Sequence, residues 1–401
     1  MNLSVATVAA MLFLCFLCPG NHKTRTMKKS LLLSLMMLAA CGGTLQEELE
    51  PALQEPFEMT PAGIARMLAQ LPIGPGQLQE VADAVGGSSS NGYDEEYTMN
   101  LLLSAPGAGV GPQTRALNSY DKPLRDMIRD WLGDRPSTRG DVEDIMSMLE
   151  ESGFQIYWPY SEDWDQTSYP VITYDPGWGA ESNWGYELAP GPDGAVIADT
   201  LLVDEALAKK RPVWVVNSNS DSGFTPLELF AQKAPDSPEA QPSAKNRKLM
   251  LRSFQMLRNY DSWFGGASEF WIKCGAVEGF TASTEAELKL YTPSVTDFMI
   301  IVKRKYVGKV MPYEAILVAD YTAQMDKLAF LITEDDGGTR TTWKCDATVK
   351  IQSKAYGFTL DIPYNEKDDI VWRGQLPVSF FQEEDIVKGR FGDVVIAFEL
   401  Q

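Results

Sequence analysis

The sequence predicts an α+β protein that is mostly β: a small helical N-terminal region followed by an antiparallel β-sandwich. Two observations carry this prediction. Between Met59 and Leu149 apolar residues recur at i, i+3 and i+4, the spacing of a helix face, and at Phe154 the period drops to two. From there on the chain is a series of short runs rich in β-branched and aromatic residues, punctuated by Gly, Pro, Asn and Asp.

The first helix starts at Thr60, a good N-cap ahead of Pro61, and shows Ile64, Met67, Leu68 and Leu71 on one face until Pro72, Gly74, Pro75 and Gly76 break it. A second piece, Gln77 to Val85, is predicted to end in a Gly86-Gly87-Ser88-Ser89-Ser90 loop. Ser119 to Leu132 and Asp141 to Leu149 repeat the helical spacing, and Gly153 closes the region. Phe154, Ile156 and Trp158 then alternate with Gln155 and Tyr157. Further strands are predicted over Val171–Tyr174, Val213–Asn217, Glu269–Val277, Ala286–Tyr291, Phe298–Val307, Ala315–Tyr321, Leu328–Thr333, Thr341–Ile351, Gly357–Ile362, Ile370–Phe380 and Val394–Phe398. The organisation expected is a leader (1–40), a tether (41–58), a helical region (59–153), an aromatic-rich β region (154–231), a Pro-punctuated linker (232–246) and the sandwich (247–401).

The leader is read from Lys28 and Lys29, the apolar run Leu31 to Leu38, and Ala39-Ala40-Cys41-Gly42. The run is too short to span a bilayer, which takes about 20 apolar residues. Small residues leading into a cysteine resemble the lipobox of bacterial lipoproteins, which implies cleavage before Cys41 and acylation of its thiol and amine. A second apolar run upstream, Val5 to Cys18, makes Met27 the simplest true start. After Cys41 the stretch Gly42-Gly43-Thr44-Leu45-Gln46-Glu47-Glu48-Leu49-Glu50 resembles the acidic signal that follows the lipidated cysteine in surface-exposed lipoproteins of the Bacteroides type, which implies an outer-membrane anchor facing outward.

Composition narrows the chemistry. The net charge is −20, and loss of the leader removes basic side chains only, so the mature surface repels phosphate backbones and nucleic acid is no partner. The one histidine, His22, lies in the leader. Ser-His-Asp and Cys-His hydrolysis therefore lack their base, and zinc lacks its usual ligand. Paired carboxylates about 5–9.5 Å apart could still cleave a glycan, but no pair stands out. Cys274 and Cys345 remain as an even pair, which fits either a disulfide or two small apolar core residues.

Four features bear on a site. The stretch from Tyr157 to Tyr186 crowds aromatic residues among Glu162, Asp163, Asp165 and Glu181; Trp164, Trp178 and Trp184 are its candidates for stacking on sugar rings, against the alternative of core and loop packing. Acid-rich turns at Glu334-Asp335-Asp336 and Asn365 to Asp369 suit calcium, with Asp335, Asp336, Asn365, Asp368 and Asp369 as ligands. The second turn resembles a C2 domain, over roughly residues 267–400, with Asn365 where such domains usually carry an aspartate. Lys303 and Lys305 are expected on one face of an edge strand, protecting it from pairing. Finally, Gly107 to Gly111 runs into Pro112 and reads as a loop, not a phosphate cradle. The function expected is that of a lipid-anchored cell-envelope lipoprotein with a non-catalytic binding or adhesion role towards a glycan or another envelope protein, the alternative being glycan binding or carboxylate-based glycan hydrolysis.

Overall fold

Thr60 caps α1 (Pro61–Gln70), its Oγ1 accepting from Gly63 N at 3.1 Å, and Ile64, Met67 and Leu68 are fully buried below it. The computed structural model describes residues 57–104, 122–135, 141–219, 225–227 and 247–401. The leader, Cys41, most of the tether, the stretch 106–112 and the linker 232–246 lie outside the described residues. Among the described residues the chain is α+β and mostly β, and no helix is long and apolar enough to cross a membrane.

Helix α2 (Pro75–Ser90) runs five residues past the predicted stop. Ser88 is buried with its Oγ 3.4 Å from Glu96 Oε1, and Asn91 Nδ2 donates to Gly87 O, so tertiary partners and a cap hold the Gly-Ser tail helical against its propensity. Short strand β1 (Glu96–Thr98), α3 (Met99–Leu103), α4 (Leu124–Gly133) and α5 (Val142–Glu150) follow. Next come β2 (Phe154–Tyr157), β3 (Val171–Tyr174), β4 (Ser182–Gly191), β5 (Gly194–Asp204), α6 (Glu205–Ala208) and β6 (Val213–Ser218). The strands form one sheet in the order β1-β2-β6-β3-β4-β5, antiparallel except for the β3–β6 pair.

The helices cover one face of this sheet. Ile156, Trp158, Ile172, Trp214 and Val216 share a core with α1, α2, α4 and α5, so residues 59–153 and 154–219 are one packed body, and the change at Phe154 is one of element type within it. The other face, with Tyr157, Val171, Val213 and Val215, is covered by Trp263 and Phe264. Because both faces are buried, β6 reads Val-Trp-Val-Val without alternation.

Residues 247–401 build the sandwich. One sheet, in the order β10 (Met311–Tyr321), β7 (Arg247–Met256), β16 (Val394–Leu400), β15 (Ile386–Phe391), packs on a second that pairs β9 (Ser294–Val302), β8 (Ser268–Ala276), β11 (Met325–Glu334) and β14 (Asp369–Pro377). Leu251, Phe254, Phe270, Phe330, Ile396 and Phe398 fill the space between. The hairpin β12 (Arg340–Ile351) and β13 (Lys354–Asn365) folds over the outer face of the second sheet, where Leu360 occupies the space a Cβ on Gly275 would need. The predicted strand at Ala286–Tyr291 is instead a 3-10 turn over Glu285–Leu290, and β9 stops at Val302.

The cysteines are free. Cys274 lies between the two sandwich sheets and Cys345, on hairpin strand β12, belongs to the cluster on the opposite face, so the second sheet separates them and no bridge forms.

Candidate functional site

Two places collect the residues that could bind something. The first is the turn between β3 and β4. Asp175 Oδ1 accepts from Gly177 N at 2.8 Å and Asn183 Nδ2 donates to Tyr174 O at 2.9 Å, fixing both ends of the loop. At its apex Trp178 is held at φ 58 between Gly177 and Gly179, also left-handed, and its side chain is fully exposed. A left-handed bulky residue costs about 1–2 kcal/mol, and exposing a tryptophan recovers none of it by burial. Trp184 is 64% exposed and stands opposite Leu202 on the neighbouring strand, itself 55% exposed. Trp178 and Trp184 thus present free ring surface, and Glu181, which lies between them in the chain, is exposed as well.

Trp164 does not join them. Its Nε1 donates to Ser168 O at 2.9 Å and its ring packs edge-on against buried Trp158, with centroids 5.3 Å apart. It lines a small cavity of about 170 Å³ with Tyr160, Asp163, Asp165 and Lys209. Trp158 faces the helical core, as its alternation with Ile156 predicts.

The second place is acidic and lies where the sandwich meets the six-stranded sheet. Pairing of β14 with β11 sets Asp369 opposite Glu334, so the two acid-rich turns are neighbours. Asp335 accepts from three protein donors: Gly337 N at 2.9 Å, Asn365 Nδ2 at 3.1 Å and Trp271 Nε1 at 3.2 Å. Asn365 N donates to Asp368 Oδ2 at 2.9 Å. Burial, reinforced by the surrounding carboxylates, pushes Asp336 and Asp368 up to about 6. Asp335, Asn365 and Asp368 are therefore joined by hydrogen bonds among themselves, with Asp336 and Asp369 beside them.

A tighter group forms next to this turn. Asp261, Glu269 and Glu334 each place a carboxylate oxygen within 4.8 Å of the other two. Glu334 is buried, and burial followed by the Asp261 charge pushes its carboxyl up to about 11; burial raises Asp261 as well. At 1% exposure Glu334 is out of reach of a sugar, so this group can hold a proton or a single ion but cannot cleave a glycan. Asp261 sits in the loop between β7 and β8, which has no periodicity to mark it, and nothing in the sequence near Asp261 or Glu269 announces that they meet Glu334.

The same junction absorbs the basic cluster. Lys303, Arg304 and Lys305 lie on a 3-10 turn after β9, not on a strand, and the edge-protection expectation is corrected accordingly. Lys303 is buried and binds Ser89 Oγ; Lys305 Nζ bonds Glu95 Oε1 at 2.6 Å and Glu162 Oε1 at 2.5 Å; Arg304 donates to Asp261 O at 2.9 Å and pairs with Glu205 at 3.3 Å. Each of these three cations meets an oxygen of the α/β body or of the β7–β8 loop, which is why the sequence places three bases together in an acidic chain. Burial, with Asp94 adding to it, still raises Glu95 to about 7 despite Lys305. No protein-family model matches the chain, and no curated protein or solved structure is significantly similar to it.

Proposed function

We propose that the chain is a lipid-anchored cell-envelope lipoprotein, held by the lipid on Cys41 and facing outward, whose role is non-catalytic binding of glycans through Trp178 and Trp184. One observation carries the reading. Trp178 is a bulky residue in a left-handed conformation, fully exposed, on a turn pinned at both ends by side-chain hydrogen bonds. Strain maintained by its surroundings and repaid by no packing is characteristic of sites selected for contact with something else. A free tryptophan face supplies apolar area to a sugar ring, and Glu181, exposed between the two tryptophans in the chain, offers a carboxylate to accept from its hydroxyls. The apolar run before Cys41 and the acidic stretch after it support the anchor.

The test is intrinsic tryptophan fluorescence of the full chain titrated with a panel of envelope and host glycans. At least one should perturb emission, and Trp178→Ala and Trp184→Ala should each weaken that binding about tenfold or more, the loss of a stacked ring contact, while Trp164→Phe leaves it within twofold. A silent panel, or a response that persists in the Trp178→Ala, Trp184→Ala double variant, removes the glycan reading. Cys41→Ala should abolish partition into detergent; a variant that still partitions is anchored by something else.

A further inference from the structure

Asp261, Glu269 and Glu334 offer three oxygens within 4.8 Å of one another. Separately from that grouping, Glu334 is 1% exposed, and its Oε1, like Asp261 Oδ2, is buried and meets no nitrogen or hydroxyl donor among the described residues; the two carboxyls have only each other to share a proton with. Buried carboxyls that face one another with no nitrogen donor must either share a proton or take up a cation. Arg304 partly offsets the charge of Asp261, but among the described residues its Nη1 donates to the backbone carbonyl of Asp261 and its Nε to Glu205, not to the three carboxyls. Asp94, Asp336 and Asp369 add further negative charge around the group.

We propose that Asp261, Glu269 and Glu334 bind one hard divalent cation of the calcium type. All three donors are oxygens, and no histidine or cysteine is among them, which matches calcium and disfavours softer metals. Three carboxylates, mono- or bidentate, with water supply the shell of about 6–8 oxygens that calcium takes. The position also gives the ion a task. Glu269 and Glu334 sit at the same end of the paired strands β8 and β11, while Asp261 lies in the loop whose Trp263 and Phe264 enter the six-stranded sheet. The cation ties that loop to the sandwich. This site differs from the Asp335–Asp369 turn, where Asp335 already accepts from three protein donors. It is also independent of the glycan reading.

The experiment is calorimetry and thermal unfolding of the chelator-stripped full chain at pH 8, with calcium chloride as the probe. Millimolar calcium should raise the melting temperature by several degrees and give a one-site binding isotherm. Glu334→Gln and Glu269→Gln should each weaken calcium at least tenfold, and Asp368→Asn should bind like the wild type. Without calcium, Glu334→Gln should melt near or above the wild-type temperature, because an amide of the same shape replaces one of three crowded carboxyls, and this shows that the variant folds. A wild-type chain with neither binding heat nor a melting shift overturns the site. Calcium binding that survives Glu334→Gln and Glu269→Gln but is lost in Asp368→Asn also overturns it, by placing the ion in the neighbouring turn.

Discussion

Glu80 lies in α2 with 1% of its surface exposed, accepting from Tyr97 OH at 3.0 Å and from Leu124 N, the first residue of α4, at 2.9 Å. Burial raises its carboxyl from 4.5 to about 7; the two hydrogen bonds oppose this and Asp126 adds to it. Below pH 4.5 the group is neutral in both folded and unfolded chains and its charge costs nothing. As pH rises from 4.5 to 7 the unfolded chain releases its proton first, so stability falls, and above 7 the whole penalty is present. Glu80→Gln should therefore flatten this part of the profile and gain roughly 2–3 kcal/mol relative to the wild type at pH 8. Urea unfolding at pH 5 and pH 8 measures it; an unchanged difference between the two pH values contradicts the assignment. Gly275 is a second residue set by its neighbours. A Cβ there would lie 2.3 Å from Leu360 Cδ1. Gly275→Ala should cost about 1–3 kcal/mol by overpacking, and Leu360→Ala in the same chain should return part of that loss in the same urea titration.

At the scale of elements, most of the sandwich strands are readable because each alternates or runs apolar between turn residues. The β4–β5 hairpin is not, since Gly185 and Pro190 interrupt it and apolar Trp184, Val196 and Leu202 stand on the exposed side, which hides its period. A signal exists nonetheless in Gly191-Pro192-Asp193-Gly194, whose Asp-Gly pair favours a tight turn, and reading it would have placed Trp184 on a strand. The β7–β8 loop is the reverse case, irregular in sequence yet central in packing. Trp263 donates its Nε1 to Glu181 O at 3.0 Å and stacks on Phe264 with centroids 3.9 Å apart. The backbone beside them passes so close to Asp94 that Gly266, at φ 113, has no room for a Cβ. Trp263→Ala should cost about 3–5 kcal/mol, as large aromatic deletions from cores do. Chemical denaturation should also split into two transitions as the α/β body and the sandwich lose their shared contact. A single transition of wild-type midpoint would show that the loop does not join them.

Across the whole molecule, the sequence alone determined what depends on neighbours along the chain. The switch from helical to strand period, the mostly β class and most sandwich strands follow from local spacing, and the absence of histidine after residue 22 follows from composition. It also singled out Trp178 and Trp184, though not the left-handed turn that exposes one of them. Only the tertiary structure decided that the helices and the first six strands share one core, that the basic turn at residues 303–305 pins the sandwich to that body, and that Asp261 and Glu269 meet Glu334. The physical reason is the range of the forces involved. Backbone hydrogen bonding and amphipathic spacing act over a few residues and leave a periodic trace, whereas the meeting of Asp261 with Glu334 is set by how Trp263 and Phe264 bury themselves against a distant sheet, and burial of that kind leaves no period in the sequence.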